Sequence, residues 1–160
     1  MKLAIVAVGR MKAGPDRELY DRYAGRITKS GKSLHFSGPD LSEISESRKG
    51  TVDQRKSEEA DSLLSLAGEG SRIIMLDENG KDISSQDFAA LLRDEQEAGT
   101  QQLVFAIGGP DGHGEQIKGK AFRKIRLGSM TWPHQLARIM LVEQLYRAIT
   151  ILSGHPYHRE

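Results

Sequence analysis

Short apolar runs alternate with longer amphipathic stretches along this chain. The runs with the apolar or alternating character of strands are Lys2–Val8, Ser33–Ser37, Arg72–Leu76, Leu103–Ile107 and Lys124–Leu127. Helical periodicity predicts helices over Pro15–Thr28, Thr51–Leu66, Ser84–Glu97, Glu115–Ala121 and His134–Ser153. Strands that alternate with helices predict a parallel α/β sheet that is covered on both faces.

Two local features complete this outline. The segment from Gly38 to Gly50 is rich in Ser, Glu and Gly and has little periodicity, so we expect a surface loop there. Asn79-Gly80 is a turn signal, and Ser84 with Asp87 three residues later predicts a helix N-cap.

Three of the predicted strands end in unusual sequences, which begin at Leu76, Gly108 and Leu127. Ligands of parallel α/β sheets bind at the carboxyl ends of the strands, so these loops are candidates for a ligand site. The loop Gly108–Gly114 has four glycines in seven residues but matches neither the dinucleotide fingerprint nor a P-loop. This disfavours a nicotinamide or nucleoside triphosphate enzyme, and on its own the loop fits a tight connection equally well.

The C-terminal third carries the other candidate chemistry. Leu127–Trp132 contains the only tryptophan of the sequence. Its apolar side chains could bind a flat heterocycle or cover a core, and this stretch alone favours the second interpretation. The helix over His134–Ser153 is apolar on most of its surface, which predicts a core helix that is either central or also a dimer interface.

The tail after Gly154 contains His155, Tyr157 and His158, which can stack on a base and exchange protons near neutral pH. No third ligand accompanies the two histidines, so a metal site is not expected. The other histidines, His35, His113 and His134, are expected to be capping or surface residues.

Composition narrows the class of protein. A length of 160 residues predicts a single domain over 1–160, and the net charge of +1 gives no general affinity for nucleic acid. Five cations nevertheless lie within nine residues: Lys118, Lys120, Arg123, Lys124 and Arg126. They could form either a solvated edge of the sheet or a patch that contacts phosphate. The absence of cysteine, and of any apolar run near 20 residues, predicts a cytoplasmic protein without a membrane span.

The segments KLAIVAVG (2–9), FAIGGPDG (105–112) and LGSMTWPHQLARIMLVEQLYRAITILSGHPYHRE (127–160) resemble one bacterial family. It is the family of ribosomal RNA large subunit methyltransferase H, SPOUT-class enzymes that methylate N3 of a pseudouridine in 23S rRNA. The resemblance covers the whole chain and is most specific in the C-terminal third. It implies an α/β fold with a deep C-terminal trefoil knot, which pattern alone does not predict.

The resemblance also implies the cofactor and the partners. The cofactor of the family is S-adenosylmethionine, and the motif positions that would bind it are Leu76, Gly108, Leu127, Gly128, Ser129, Met130, Thr131 and Trp132. The family is homodimeric, with the tail of one subunit completing the site of the other. Its preferred substrate is the assembled ribosome, for which the cations of 118–126 form a candidate contact strip.

The tail residues are the candidates for the chemistry of methyl transfer. N3 of pseudouridine must lose a proton, and His155 or His158 is the candidate base. Tyr157 is expected to stack on or position the base, and Arg159 to contact a phosphate. The alternatives are a knotted methyltransferase of another RNA and a non-catalytic ribosome-binding or assembly factor.

Overall fold

The computed structural model describes residues 1–158, whose strands form one five-stranded sheet. The strands are β1 (Lys2–Val8), β2 (Ser37–Ile44), β3 (Arg72–Asp82), β4 (Gln102–Ile107) and β5 (Arg123–Arg126). Their spatial order is β2-β1-β4-β3-β5, and every neighbouring pair is parallel. The predicted parallel α/β fold is confirmed, and the trefoil knot stays a prediction.

Five helices cover the sheet. They are α1 (Pro15–Ser30), α2 (Val52–Ala67), α3 (Ser85–Glu97), α4 (Glu115–Lys120) and α5 (His134–Leu152). Helices α1, α3 and α5 share one buried cluster with one face of the strands, while α2 and α4 share a second cluster with the opposite face. The central strands β1 and β4 are therefore buried on both sides, as their unbroken apolar runs predicted. Among residues 1–158, no helix has the length and apolar character needed to cross a membrane.

The predictions for 33–44 are wrong, whereas residues 45–50 form no helix or strand, as predicted. A 3-10 helix over Gly31–Leu34 ends at His35, which adopts the left-handed conformation (φ 59°), and strand β2 follows where a loop was expected. β2 pairs only with β1, so it is an edge strand whose side chains are mostly half-buried. An edge strand tolerates proline and polar residues, and β2 contains Pro39 and several polar side chains. A strand of this composition has no apolar run by which the sequence could predict it.

Helices α2 and α3 begin at the caps that their sequences provide. Thr51 Oγ1 accepts a hydrogen bond from the amide of Gln54 and the Gln54 side chain accepts one from the amide of Thr51, which completes a capping box. Ser84 Oγ accepts from the amide of Asp87 at 3.0 Å, so the predicted cap is confirmed. Both helices thus start at fixed residues beside the strands that precede them.

Strand β3 is longer than its apolar run. Its pairing with β5 is irregular between Leu76 and Lys81 and then resumes, so Asn79-Gly80 lies within the strand rather than in a separate turn. A Cβ at Gly80 would lie 2.4 Å from the backbone carbon of Ile125, so only glycine allows β5 to approach this closely. The approach brings the ends of β3 and β5 together.

We expect Gly80→Ala to lower the free energy of unfolding by about 1–3 kcal/mol, because backbone of β5 must move to admit the methyl group. The matched variant is Gly25→Ala, in the exposed middle of α1, where an added Cβ has nothing within 4 Å. That change should raise the free energy of unfolding by roughly 0.5–1 kcal/mol. Urea denaturation measures both, and equal effects of the two substitutions would contradict the close approach at Gly80.

Candidate functional site

The carboxyl ends of β3, β4 and β5 enclose a cleft of about 340 Å³. Seven of the residues predicted to bind a cofactor line it: Leu76, Gly108, Leu127, Gly128, Met130, Thr131 and Trp132. Ser129 is exposed in the same segment but is not part of the lining. The structure therefore brings together three stretches that are far apart in the sequence.

The walls of the cleft combine glycine backbone and charged side chains, such as Asp77 and Lys118, with an apolar rim. Trp132 Nε1 donates a hydrogen bond to the carbonyl oxygen of Leu127 at 3.1 Å, which closes the segment between β5 and α5. Met130 is 72% exposed and Trp132 is 40% exposed, so this rim presents large apolar surfaces that the described residues do not cover. A rim of this kind suits a flat, partly apolar ligand.

The glycine loop 108–114 is folded against α2. The amide of Gly112 donates to the carbonyl of Gly109 at 2.9 Å, which makes a tight turn with Pro110 and Asp111 at its centre. Arg55 of α2 donates from Nε and Nη2 to the two carboxylate oxygens of Asp111, at 2.6 and 3.1 Å. The hydrogen bond from Arg55 holds the pKa of Asp111 below its usual value. A side-chain fork thus fixes the loop from outside the cleft.

His113, which was expected at the surface or in a cap, is buried in this loop. Its Nε2 lies 2.8 Å from the carbonyl oxygen of Leu76, and its Nδ1 is buried without a hydrogen-bond partner. Burial lowers the pKa of the imidazole. The expectation failed because a histidine between two glycines has no periodicity that reveals its burial. Residues 1–158 include no group of three or more His, Cys, Asp or Glu arranged to hold a metal ion.

Arg138 is a further buried residue that sequence reasoning missed. It is 1% exposed, and it donates to Glu43 and to the carbonyls of Val8 and Gly9. The sequence does contain a sign of this burial. Arg138 lies on the same helical face as the core residues Leu141, Val142 and Leu145, which follow it at i+3, i+4 and i+7. An arginine at a core position indicates a buried polar contact.

The tail lies along α5, away from the cleft. Tyr157 donates a hydrogen bond to Glu143 at 3.0 Å, its hydroxyl lies 3.4 Å from that of Tyr23, and its ring packs edge-on against Tyr146. Burial, with these hydrogen bonds, raises the pKa of Tyr157 above its usual value. None of the residues 155–158 lines the cleft of its own chain.

The two tail histidines are only loosely held. His155 Nδ1 accepts from the amide of Tyr157 at 3.2 Å, and His158 Nδ1 lies 3.4 Å from Nη1 of Arg147. The remaining predicted tail residue, Arg159, lies outside the described residues.

A second cavity, of about 500 Å³, adjoins the cleft. The two share the backbone segment Arg126–Gly128 in their linings. Tyr23 and Glu143, which hold Tyr157, also line the second cavity. The second cavity therefore lies between residues that hold the tail and residues that line the cleft.

The cations of 118–126 divide into two groups. Lys118 pairs with Glu115 at 2.7 Å, and Arg126 donates to Asp82 at 2.8 Å. Lys120, Arg123 and Lys124 are exposed, and they form no salt bridge with another described residue. These three side chains are the ones available to an anionic partner.

Comparison with known proteins identifies the family. A family model described as "Predicted SPOUT methyltransferase" matches residues 1–158. This chain belongs to that SPOUT methyltransferase family. It is 49% identical over 159 residues to a protein of Brucella anthropi, with 99% of each chain covered. It is 50% identical over 160 residues to a protein of Chelativorans sp., with 100% of this chain and 92% of the relative covered. Both relatives are named ribosomal RNA large subunit methyltransferase H, as is one of Nitrobacter hamburgensis at 49% identity, with 99% of each chain covered.

In this SPOUT methyltransferase, we expect Arg55→Gln to raise the pKa of Asp111, because the main cause of its depression is the hydrogen bond from Arg55. A carboxyl with a depressed folded-state pKa stabilises the fold above its unfolded pKa, and that contribution is lost as pH falls through the folded pKa. Carbon-13 NMR titration of the side-chain carboxyls measures the shift.

Arg126→Gln is the matched control for this titration, because Arg126 lowers the pKa of Asp82 in the same way. It should raise the pKa of Asp82 and leave that of Asp111 unchanged. An unaltered Asp111 titration in Arg55→Gln would show that the fork is not formed in solution.

Proposed function

We propose that this chain is an S-adenosylmethionine-dependent methyltransferase that modifies N3 of a pseudouridine in 23S rRNA of the assembled ribosome. It acts as a single-domain subunit of a homodimer in the cytoplasm. The observation that carries the proposal is the convergence of Leu76, Gly108 and most of the segment Leu127–Trp132 on one cleft, in a chain whose relatives are named ribosomal RNA large subunit methyltransferase H. The specific base and the cofactor follow from the resemblance of these motifs.

The cleft suits S-adenosylmethionine in size and chemistry. Its volume of about 340 Å³ lies at the small end of the range for ligand pockets, roughly 300–1,000 Å³. Glycine backbone lets amides and carbonyls approach an adenine or a ribose, and the rim of Met130 and Trp132 offers apolar contact. When bound, S-adenosylmethionine supplies an electrophilic methyl group at its sulfonium centre. The task of the protein is to hold the acceptor nitrogen in line with that methyl group.

Proton removal from N3 is assigned to the tail. His155 is exposed and His158 is half-buried, so a substrate can reach either ring. Histidine is also the side chain that most often serves as a general base. The hydrogen bonds at their Nδ1 atoms are long, so an acceptor nitrogen is readily freed for a substrate proton. Either histidine can then serve as the base.

Tyr157 has the contacts of an anchor for these histidines. Its hydroxyl and ring are held by Tyr23, Glu143 and Tyr146, all on α1 and α5. We assign Tyr157 the role of positioning the tail, and through it the target base, so that His155 and His158 on either side are presented in a fixed direction. Arg147, whose guanidinium lies 5.0 Å from the centre of the Tyr157 ring, supports this arrangement.

The position of the tail supports a homodimer with shared sites. His134 at the start of α5 lines the cleft, whereas Glu143, which holds the tail, is nine residues further along, on the order of 13 Å by the helical rise. A tail anchored there is better placed to reach the cleft of a second subunit than its own. Most apolar residues of α5 are buried within the chain, and the exposed side chain of Leu136 near its start supplies apolar surface for that subunit.

The RNA-contacting strip is assigned mainly to Lys120, Arg123 and Lys124, the three exposed cations of 118–126 that form no salt bridge with another described residue. Lys118 and Arg126 line the cleft and are already engaged by acidic partners. They contribute to RNA only by exchanging those partners for phosphate. Arg159 extends the same role to the end of the tail.

We expect purified protein to transfer labelled methyl from S-adenosylmethionine to 23S rRNA in ribosomes from a strain that lacks this protein. The label should map to N3 of a pseudouridine, and protein-free 23S rRNA should be a much poorer acceptor. Ribosomes from the parent strain, already modified, are the matched control. Cofactor binding without transfer to ribosomes would indicate another RNA substrate, and absence of cofactor binding would support a non-catalytic ribosome-binding factor.

Shared sites predict complementation between two inactive variants. Ala137→Trp places a large ring in the cleft from α5, and the double variant His155→Ala with His158→Ala removes the candidate bases. Mixing them should restore about a quarter of wild-type activity, because half of a random population of symmetric dimers is mixed and each mixed dimer has one intact site. Sedimentation of each variant checks that both are folded and dimeric. No recovery from such dimers would show that each tail serves its own cleft.

A further inference from the structure

The backbone ladder between the two main walls of the cleft stops at its edge. Leu76 of β3 pairs with Ile107 of β4, and this is the last pair of that ladder. Beyond it β4 enters the glycine loop, while β3 becomes irregular in its pairing with β5. The cleft therefore opens where main-chain hydrogen bonds no longer fix the distance between β3 and β4.

One side chain spans this opening. His113 returns from the glycine loop, and its Nε2 lies 2.8 Å from the carbonyl oxygen of Leu76, a residue 37 positions earlier in the chain. A carbonyl oxygen only accepts, so Nε2 carries the proton and His113 is in the Nε2–H form. Both residues line the cleft, so the hydrogen bond joins its two walls directly.

The imidazole ring has little freedom to move. The side chain is 4% exposed, and a Cβ added at Gly108 would lie 3.3 Å from Cδ2 of His113, so the ring packs close to the glycine backbone. Gly114 fixes the other end of the loop, because a Cβ there would lie 2.5 Å from the carbonyl oxygen of Lys56 on α2. The loop is thus held on both sides of His113.

The surroundings of His113 favour a neutral ring. Its Nδ1 is buried and has no hydrogen-bond partner among residues 1–158, so a second proton there would be an unpaired buried charge. Burial lowers its pKa, and Lys118 of α4 and Lys124 of β5 act in the same direction, while the bond to Leu76 and the charge of Asp77 on β3 oppose them. The neutral Nε2–H tautomer is therefore the form in which His113 makes the link.

We propose that His113 is a positioning residue for the cofactor. Its side-chain hydrogen bond to the carbonyl of Leu76 continues the interrupted ladder and so fixes the Leu76 wall of the cleft against the Gly108 wall. The inference rests on the proposed binding of S-adenosylmethionine in this cleft. It assigns His113 no contact with the reacting atoms. Its effect is on the shape of the empty cleft, so that the ligand does not have to order the two walls on binding.

Two substitutions separate the hydrogen bond from the volume of the side chain. His113→Leu keeps an apolar body but has no donor, whereas the amide nitrogen of His113→Gln can occupy the place of Nε2 and donate to Leu76. We expect His113→Leu to weaken S-adenosylmethionine binding about five- to tenfold by calorimetry, as for loss of one buried hydrogen bond. His113→Gln should retain most of the wild-type affinity. The kcat at saturating cofactor and the KM for ribosomes should change little in either variant.

Nitrogen-15 NMR of the free protein gives a readout that is independent of activity. His113 should appear as the Nε2–H form at neutral pH. An Nδ1–H form would overturn the proposal, because its Nε2 has no proton to donate to the carbonyl of Leu76. Equal cofactor affinity in His113→Leu and wild type would also overturn it while leaving the proposed function intact. Failure of the wild-type protein to bind S-adenosylmethionine would instead overturn the proposed function, and this inference with it.

Discussion

The guanidinium group of Arg138 is the buried charge that joins the three elements around the start of α5. Its Nη1 donates to Glu43 of β2 at 2.7 Å, and its Nη2 donates to the carbonyls of Val8 and Gly9 at the end of β1, at 2.5 and 2.7 Å. Removing one partner of such a buried pair typically costs about 3–5 kcal/mol, because the other partner stays desolvated. The same turn of α5 carries Ala137 into the cleft, so the position of that wall depends on this contact.

The segments that form the cleft are likewise fixed by hydrogen bonds from side chains. Arg55 grips Asp111, His113 reaches Leu76, and Trp132 bonds to the carbonyl of Leu127. Each contact fixes one of the strand ends, and the lining of the cavity combines glycine backbone and apolar side chains with charged ones such as Asp77 and Lys118. Preorganisation of this kind reduces the ordering that a bound ligand must impose.

The sequence predicted the strands that are buried on both faces. It missed the features that depend on contacts between residues far apart in the chain. β1 and β4 are unbroken apolar runs, and the Ser84 cap is a local hydrogen bond, so both were evident. β2 is a polar edge strand whose existence depends on pairing with β1, which no local pattern reveals. The cleft residues were located by motif, whereas His113 acquires its role only when the loop folds back onto Leu76.

The charge distribution bears on how so small a protein would select its substrate. A net charge of +1 gives little long-range attraction to RNA, and two of the five cations in the strip are neutralised by Glu115 and Asp82. Affinity from the remaining three would be modest, because only about three phosphate contacts would release counterions, and it would fall as the salt concentration rises. Selectivity must then come from shape, through the apolar rim of the cleft and the tail held along α5. An assembled ribosome offers a fixed surface of that kind, and a flexible free RNA does not, which is why the proposed substrate is the particle rather than its RNA alone.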